Sequence, residues 1–426
     1  TFCSCMNVVV LNTGSELLLG RVLNTHLTYL AREIFPLGLR VESQLTVPDG
    51  PAIHEALAEI APRADIVFVT GGLGPTTDDI TREAAAALLN LPLKQDPEVA
   101  ARITNRLRTR GFPMTDRILR QAEVPEGATV LPNANGTAPG LYLVGRVASA
   151  KPTHLFLLPG PPRELQPMFQ ESVLPILRRI VPPRDGMRCG TFRLACVGES
   201  MVEAAVGERL LALPEAEVGY CARMGEVDVR VIGPEATVAA AEEILREAYP
   251  LALFTTEDEE LESAVIAMLR KEKATLAVAE SCTGGYLAHR LTNVPGASEV
   301  FLAGFVTYAN SAKISALGVD PKVLDEFGAV SAETAAAMAA GAIEKTGATC
   351  ALATTGIAGP GGGSEAKPVG TVFIALATSS GHASVLRRRI LLERTGFKHQ
   401  TSQAALQLLR EYYLANGSAA APNPTA

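Results

Sequence analysis

Four segments in the C-terminal part of the chain gather residues suited to acyl transfer. The first is Ala279-Glu280-Ser281-Cys282-Thr283-Gly284-Gly285. An apolar, β-rich run leads into Ser281 and a helical pattern follows the glycines. Such a turn exposes one side chain and a row of helix-start amides. Read alone, it is explained better by Ser281 or Thr283 capping a helix. The second segment is Gly304-Phe305-Val306-Thr307-Tyr308-Ala309-Asn310-Ser311-Ala312-Lys313, with Tyr308 at a strand end and Lys313 in the first turn of the next helix. A cation there opposes the helix macrodipole, which lowers its pKa. A partly neutral lysine can take a proton from a serine hydroxyl; the plain alternative is a solvated surface lysine. The third segment is Thr354-Thr355-Gly356-Ile357-Ala358-Gly359-Pro360-Gly361-Gly362-Gly363, closed by Lys367-Pro368-Val369-Gly370. Its glycines let backbone amides approach a phosphate or a developing oxyanion, against the alternative of an irregular connection. The fourth is Glu393-Arg394 with Lys398, where Arg394 suits a phosphate, a carboxylate or a surface ion pair.

Cys282 stands next to Ser281, and a thiolate is intrinsically the better nucleophile. Yet no histidine, the usual partner of a nucleophilic cysteine, is among the residues named in the four segments. A lysine is the partner that a weakly acidic hydroxyl needs. The expectation is therefore Ser281 as nucleophile, Cys282 as buried filler.

The N-terminal part carries a different set. Thr13-Gly14-Ser15-Glu16 follows the first strand, and Gly71-Gly72-Leu73-Gly74-Pro75-Thr76-Thr77-Asp78-Asp79 follows a later one. Amides and hydroxyls in such loops suit phosphate oxygens, and Asp78 and Asp79 suit a divalent cation bridging them. The alternative for the two aspartates is favourable charge at a helix start. Asn135-Gly136-Thr137-Ala138-Pro139-Gly140 and Pro159-Gly160-Pro161-Pro162-Arg163-Glu164 add two rigid loops.

Alternating strands and helices must position these groups. Strands are predicted over 7–11, 66–70 and 154–158, with helices over 17–34, over 81–89 and from 164. A smaller unit after the Pro182-Pro183-Arg184-Asp185-Gly186 linker has strand 191–197, helix 201–211, a hairpin over 217–231 and helix 236–248. The α/β pattern then returns: helix 261–271, strand 275–279, helix 285–292, strand 300–308, a helix from about Ser311, helix 332–345, strands 350–354, 369–377 and 384–391, and helix 399–414. The expected fold is α/β, with two three-layer α/β domains joined by a small α+β, KH-like module. Its divisions are 6–178, 184–255, 256–416 and a disordered tail 417–426. The first methionine is Met6 and a strand follows at once, so residues 1–5 are given no structural role.

The net charge is −7 and no run of Lys/Arg marks a nucleic-acid footprint. The middle module contains no G-x-x-G loop, which speaks against RNA binding there. No apolar stretch approaches the roughly 20 residues of a membrane helix, and no signal segment is evident. The seven cysteines are scattered without a C-x-x-C pair, which points to reduced thiols and a cytoplasmic setting. Small molecules are the expected partners, not nucleic acid or membrane, and a homo-oligomer is expected.

The segments AESCTGG (279–285), GFVTYANSAK (304–313), TGIAGPGGGSEAKPVGTV (355–372) and the ER…K…QT pattern around 393–401 together resemble the CinA C-terminal family of nicotinamide-nucleotide amidohydrolases. The resemblance implies Ser281 as nucleophile, Tyr308 and Lys313 assisting it, and Thr283, Gly284, Gly285, Thr355, Gly356, Gly359 and Arg394 around the substrate. The last pattern departs from the family, which has an Asp-Arg pair and a second Arg where Lys398 stands. No cofactor is expected for this amidase. Residues 7–175 resemble the MoaB/MogA-like, molybdopterin-binding-type domain of CinA proteins. That implies a nucleotide-diphosphate or pterin-like ligand at Gly14, Glu16, Gly71, Gly72, Gly74, Thr76, Asn135, Gly136, Pro159 and Gly160, with a metal of unspecified identity at Asp78 and Asp79. Where the family loop has Asp-Asn, this chain has Asp49-Gly50. The resulting expectation is a two-activity enzyme: hydrolysis of nicotinamide mononucleotide to nicotinate mononucleotide and ammonia, and metal-dependent cleavage of ADP-ribose between its phosphates. Its rivals are a pterin-adenylating protein and a non-enzymatic, competence-related binding protein.

Overall fold

The computed structural model describes residues 6–147, 151–181, 187–257 and 259–416. The linker expected at 182–186, the tail from 417 and residues 1–5 lie outside the described residues. The chain divides into two compact units, Thr1–Asp185 and Gly186–Ala426. Among the described residues no helix is long and apolar enough to cross a membrane.

The first unit is a three-layer α/β structure. Its strands are β1 (Val8–Thr13), β2 (Val41–Val47), β3 (Ile66–Thr70), β4 (Leu93–Gln95), β5 (Glu123–Pro125), β6 (Thr129–Leu131), β7 (Gly140–Gly145) and β8 (Thr153–Leu158). Six of them form a sheet in the order β2-β1-β3-β8-β7-β6. β2, β1, β3 and β8 run parallel, and β7 is antiparallel to β8 and β6. β1, β3 and β8 are mostly apolar and buried on both faces, as a helix-covered parallel sheet requires, with polar residues at the carboxyl ends of β1 and β3. Alternate side chains feed two cores. Val8, Val10 and Phe68 face one helical layer, and Val9, Leu11 and Val67 face the other.

The helix expected over 17–34 is two helices, Ser15–Leu18 and His26–Ile34. Gly20 is left-handed (φ 65°), which ends the first turn. Asn24 Oδ1 accepts from the His26 amide 3.0 Å away and starts the second helix.

The second unit holds two sheets. β9 (Met187–Ala195), β10 (Glu217–Arg223), β11 (Glu226–Pro234) and β12 (Leu253–Thr255) form an antiparallel sheet, β10-β11-β9-β12, covered by helices Glu199–Leu211 and Glu235–Ala248. β13 (Leu276–Glu280), β14 (Phe301–Val306), β15 (Cys350–Gly356), β16 (Thr371–Thr378) and β17 (Ala383–Arg389) form the other, in the order β14-β13-β15-β16-β17. β14, β13 and β15 are parallel. β16 is antiparallel to both of its neighbours, so β17 runs with β15. Ser281, Tyr308, Thr355–Gly356 and Arg394 therefore all leave the sheet at one edge, the carboxyl end where α/β sheets bind ligands. Helix Ala332–Thr346 covers one face, where Ala277, Ala351, Ala353 and Ala375 keep the layers close. Helices Leu261–Lys271 and Arg394–Asn416 cover the other. The last helix begins five residues earlier than its periodicity suggests, which makes Arg394 its first residue.

The two sheets of this unit share buried polar contacts. Arg290 donates to Glu262 Oε2 (2.6 Å), Ser402 Oγ (2.8 Å) and Gln403 Oε1 (2.7 Å). Gln403 donates in turn to Glu226 of β11. Gln407 donates to the Leu251 carbonyl at 2.8 Å. Ala195 and Phe254, from the four-stranded side, belong to the apolar core of the five-stranded one.

Candidate active site

In the second unit, Ser281, Tyr308, Lys313, Thr355, Gly356, Gly359 and Arg394 line one open cleft. Lys313 lies on helix Asn310–Leu317 and is only 1% exposed. Its Nζ donates to Ser281 Oγ at 3.0 Å, to the Thr307 carbonyl at 2.8 Å and to the Tyr308 carbonyl at 3.4 Å. Among the described residues no carboxylate pairs with it. Burial pulls its pKa below the ordinary 10.5, since a charged ammonium loses solvation there. The cause of the lowering is desolvation, not the helix macrodipole from which a lowering was expected.

Cys282 sits in the apolar core under β13, and burial pushes its thiol up to about 12. It stays protonated at neutral pH and is a poor nucleophile.

Tyr308 is 61% exposed. Its hydroxyl accepts from Arg394 Nη2 at 2.7 Å, and Arg394 Nη1 donates to the Gly359 carbonyl at 2.9 Å. A proton path from Ser281 through Tyr308 is not the arrangement found, because Lys313 meets Ser281 directly. Lys398 stands outside the cleft, 5.8 Å over the Tyr286 ring.

Residues of the Ser281 turn depart from expectation. Thr283 is fully buried and bonds Thr354 Oγ1 at 2.7 Å. Gly284 and Gly285 are left-handed, at φ 60° and 91°, and form the turn between β13 and the next helix. The helix-start amides are not free: buried Glu280 accepts from Gly285 (2.9 Å), Leu287 (3.1 Å) and Ala288 (2.8 Å). Thr283, Gly284 and Gly285 therefore shape the turn and do not line the cleft. Glu280 was given no role from sequence, although a carboxylate closing the apolar run Leu276–Glu280 was its visible signal.

An amide on β15 is the candidate donor instead. Ile357 donates to the Thr371 carbonyl at 2.8 Å, and Gly356 pairs with Val372. The alternation of an antiparallel ladder then turns the Gly356 N–H away from β16, toward the strand that carries Ser281.

In the first unit, Gly14, Glu16, Gly71, Gly72, Gly74, Thr76, Asp78, Asp79, Pro159 and Gly160 line a single cleft at the carboxyl ends of β1, β3 and β8. Gly71 must be glycine: at φ 96° an added Cβ would lie 2.7 Å from the Thr13 carbonyl. Asp49, set aside by the departure at Asp49-Gly50, lines the same cleft and accepts from the Ser15 amide at 3.0 Å. Asn135 and Gly136 lie beside this cleft, not in it. Asn133 Oδ1 accepts from both amides (3.0 and 2.7 Å), and Asn135 Nδ2 is spent on the Arg163 carbonyl at 2.9 Å. His26, another residue without a sequence signal, is buried against Thr70 Oγ1 at 3.1 Å, which lowers its pKa by desolvation.

Asp78 and Asp79 were expected to hold a cation. Asp79 is occupied: it accepts from the Thr76 amide at 2.9 Å and from the Thr76 hydroxyl. Among the described residues no three His, Cys, Asp or Glu side chains converge on one point. The residues present do not fit a resident metal by themselves.

Comparisons with known proteins agree with this two-unit arrangement. A family model described as the CinA C-terminal domain matches residues 258–413, and one described as a probable molybdopterin binding domain matches residues 9–179. A CinA-like protein of Akkermansia muciniphila is 45% identical over 401 residues, 94% of this chain and 96% of the relative. A putative competence-damage inducible protein of Moorella thermoacetica is 42% identical over 414 residues, 95% of this chain and 98% of the relative. The solved competence/damage inducible protein CihA of Agrobacterium tumefaciens is 43% identical and covers 37% of this chain and 96% of its own, with a TM-score of 0.35. Matched along almost its whole length at this identity, the chain belongs to the CinA family.

Proposed function

We propose that the cleft of the second unit hydrolyses the carboxamide of nicotinamide mononucleotide. The observation that carries this reading is Lys313 Nζ, buried with no counter-charge among the described residues, 3.0 Å from Ser281 Oγ. Ser281 Oγ attacks the carboxamide carbon while the neutral Lys313 amine takes its proton. The negative oxygen of the tetrahedral intermediate accepts from the Gly356 N–H, a donor already fixed by the sheet. Lys313 then protonates the departing nitrogen, ammonia leaves, and a serine ester of nicotinate mononucleotide remains. Water, deprotonated by Lys313, cleaves that ester and restores the hydroxyl. Arg394 keeps N–H groups beyond those bonded to Gly359 and Tyr308, and these suit the substrate phosphate. The test is ammonia and nicotinate mononucleotide formation from nicotinamide mononucleotide by the purified chain; no ammonia above background sinks the reading.

Alkylation should discriminate between the neighbouring side chains. Cys282→Ala is expected to keep most of the amidase activity, and iodoacetamide to leave turnover intact, because the thiol is buried and protonated. Loss of turnover in both treatments would transfer the nucleophile to Cys282.

For the first unit, the glycine loops and hydroxyls support binding of a nucleotide diphosphate, with cleavage of ADP-ribose between its phosphates as the proposed reaction. A divalent cation would enter with the substrate phosphates, and Asp78 and Asp79, which line the cleft, would face it there. Asp78→Asn combined with Asp79→Asn, which keeps an acceptor for Thr76, is expected to remove this pyrophosphatase activity and leave the amidase unchanged. Equal loss of both activities would contradict two separate sites.

A further inference from the structure

A second cavity adjoins the glycine cleft of the first unit, and Thr137 lines both. Its floor is apolar, from Val99, Ile103 and Pro139. One wall is the helix Pro97–Thr109 with its C-cap Arg110, which sets Arg102, Arg106 and Arg110 along the cavity. Four-residue spacing puts the three on one face, over about 12 Å at 1.5 Å per residue. The facing wall is the loop between β6 and β7. Asn133 holds that loop by accepting from Asn135 and Gly136 and donating to the Ala138 carbonyl (2.7 Å) and Glu164 Oε2 (2.9 Å). Arg106 Nη1 donates to the Ala134 carbonyl at 2.6 Å and ties helix to loop. Arg102 and Arg110 pair with no carboxylate among the described residues. Glu164 lines the glycine cleft as well, so the same small network bounds both spaces.

An apolar floor suits a nucleobase, but a base alone does not require two uncompensated guanidinium groups. Such groups are the usual receptors of phosphate. We propose that the nucleotide site continues into this cavity, and that Arg102 and Arg110 bind a phosphomonoester on the nucleoside half of a nucleotide whose diphosphate lies in the glycine cleft. The inference rests on the reading of that cleft as a nucleotide-diphosphate site. The first unit would then prefer nucleotides carrying a ribose phosphate over those without one.

Calorimetric titration of the full chain with ADP-ribose and with its 2′-phosphate tests this. The 2′-phosphate is expected to bind at least about tenfold more tightly, the scale of one charge-assisted contact, with the advantage shrinking as salt rises. Both arginines are exposed, so Arg102→Ala with Arg110→Ala leaves the core untouched. That variant is expected to lose the advantage while binding ADP-ribose as the wild type does. Equal affinity for the two ligands, or an advantage that survives in the variant, overturns the proposal. Binding of neither ligand overturns the reading of the glycine cleft, and the extension falls with it.

Discussion

Ser281→Ala is expected to lower amidase turnover by at least about a thousandfold with the fold intact, the scale seen when a nucleophile that works with its base as one unit is removed. The side chain lost is one hydroxyl at the cleft wall. The backbone of the turn is held independently, since the Ser281 amide donates to the Thr354 carbonyl at 2.9 Å and Glu280 caps the next helix. Lys313 loses one acceptor and keeps the Thr307 carbonyl. Binding of nicotinamide mononucleotide should persist, because Arg394 and the Gly356 amide are untouched. Ammonia release under substrate saturation, with thermal melting as the control for folding, is the measurement. A folded variant that keeps full turnover would remove Ser281 from the chemistry.

Lys313→Met carries the second large effect. The substitution keeps an unbranched stem in the buried slot and deletes the amine. Loss of a positioned base should reduce turnover by about 10²- to 10⁴-fold. Stability should move the other way or not at all. In the wild type, the unfolded lysine holds its proton up to the ordinary 10.5 while the folded one releases it at lower pH. Between those two values the unfolded state binds more protons, so stability contributed at this position rises with pH. At lower pH a buried ammonium is a cost that methionine does not carry. The wild-type rate should likewise climb with pH through the lowered lysine pKa, as the amine becomes neutral and able to accept the serine proton. The variant should show a low rate without that limb. Persistence of the rising limb in Lys313→Met would assign the titration to another group and refute Lys313 as the base.

Both effects concern residues visible in the sequence, and the reason is geometric. A short segment that runs from an apolar strand through a polar turn into a glycine pair or a helix fixes its own local shape. Four such segments on parallel strands must emerge at one sheet edge. Ser281, Tyr308, Lys313, Gly356 and Arg394 were legible on that basis. What escaped depends on partners distant in sequence or on backbone direction. Glu280 acquires its role from three amides that the sequence of the turn leaves open. Asp49 and Asn133 gain theirs from loops that meet only after β1, β3 and β8 have assembled. The resemblance places Thr283, Gly284 and Gly285 around the substrate; in the fold the buried Glu280 carboxylate takes the Gly285, Leu287 and Ala288 amides, a partner that no spacing in the segment reveals. The break between Ser15–Leu18 and His26–Ile34 was hidden because apolar periodicity continues across it, while Gly20 and Asn24 decide the backbone. The arginine face of helix Pro97–Thr109 had no local signature beyond charge, which a solvated helix shows equally well.

The contacts between the two sheets of the second unit bear on how such a chain can be recombined. Phe254 and Ala195 complete the core of the five-stranded side, and Gln403 and Gln407 find their acceptors in Glu226 and the Leu251 carbonyl across the junction. A cut between 255 and 256 therefore leaves an open socket where an aromatic ring was, together with buried amides facing water. A buried Phe truncated in place typically costs about 3–5 kcal/mol, a large share of a domain's net stability. The five-stranded sheet of this chain is thus not a transferable cassette at that boundary. Grafting it elsewhere requires carrying the four-stranded neighbour along, or redrawing the surface that meets it.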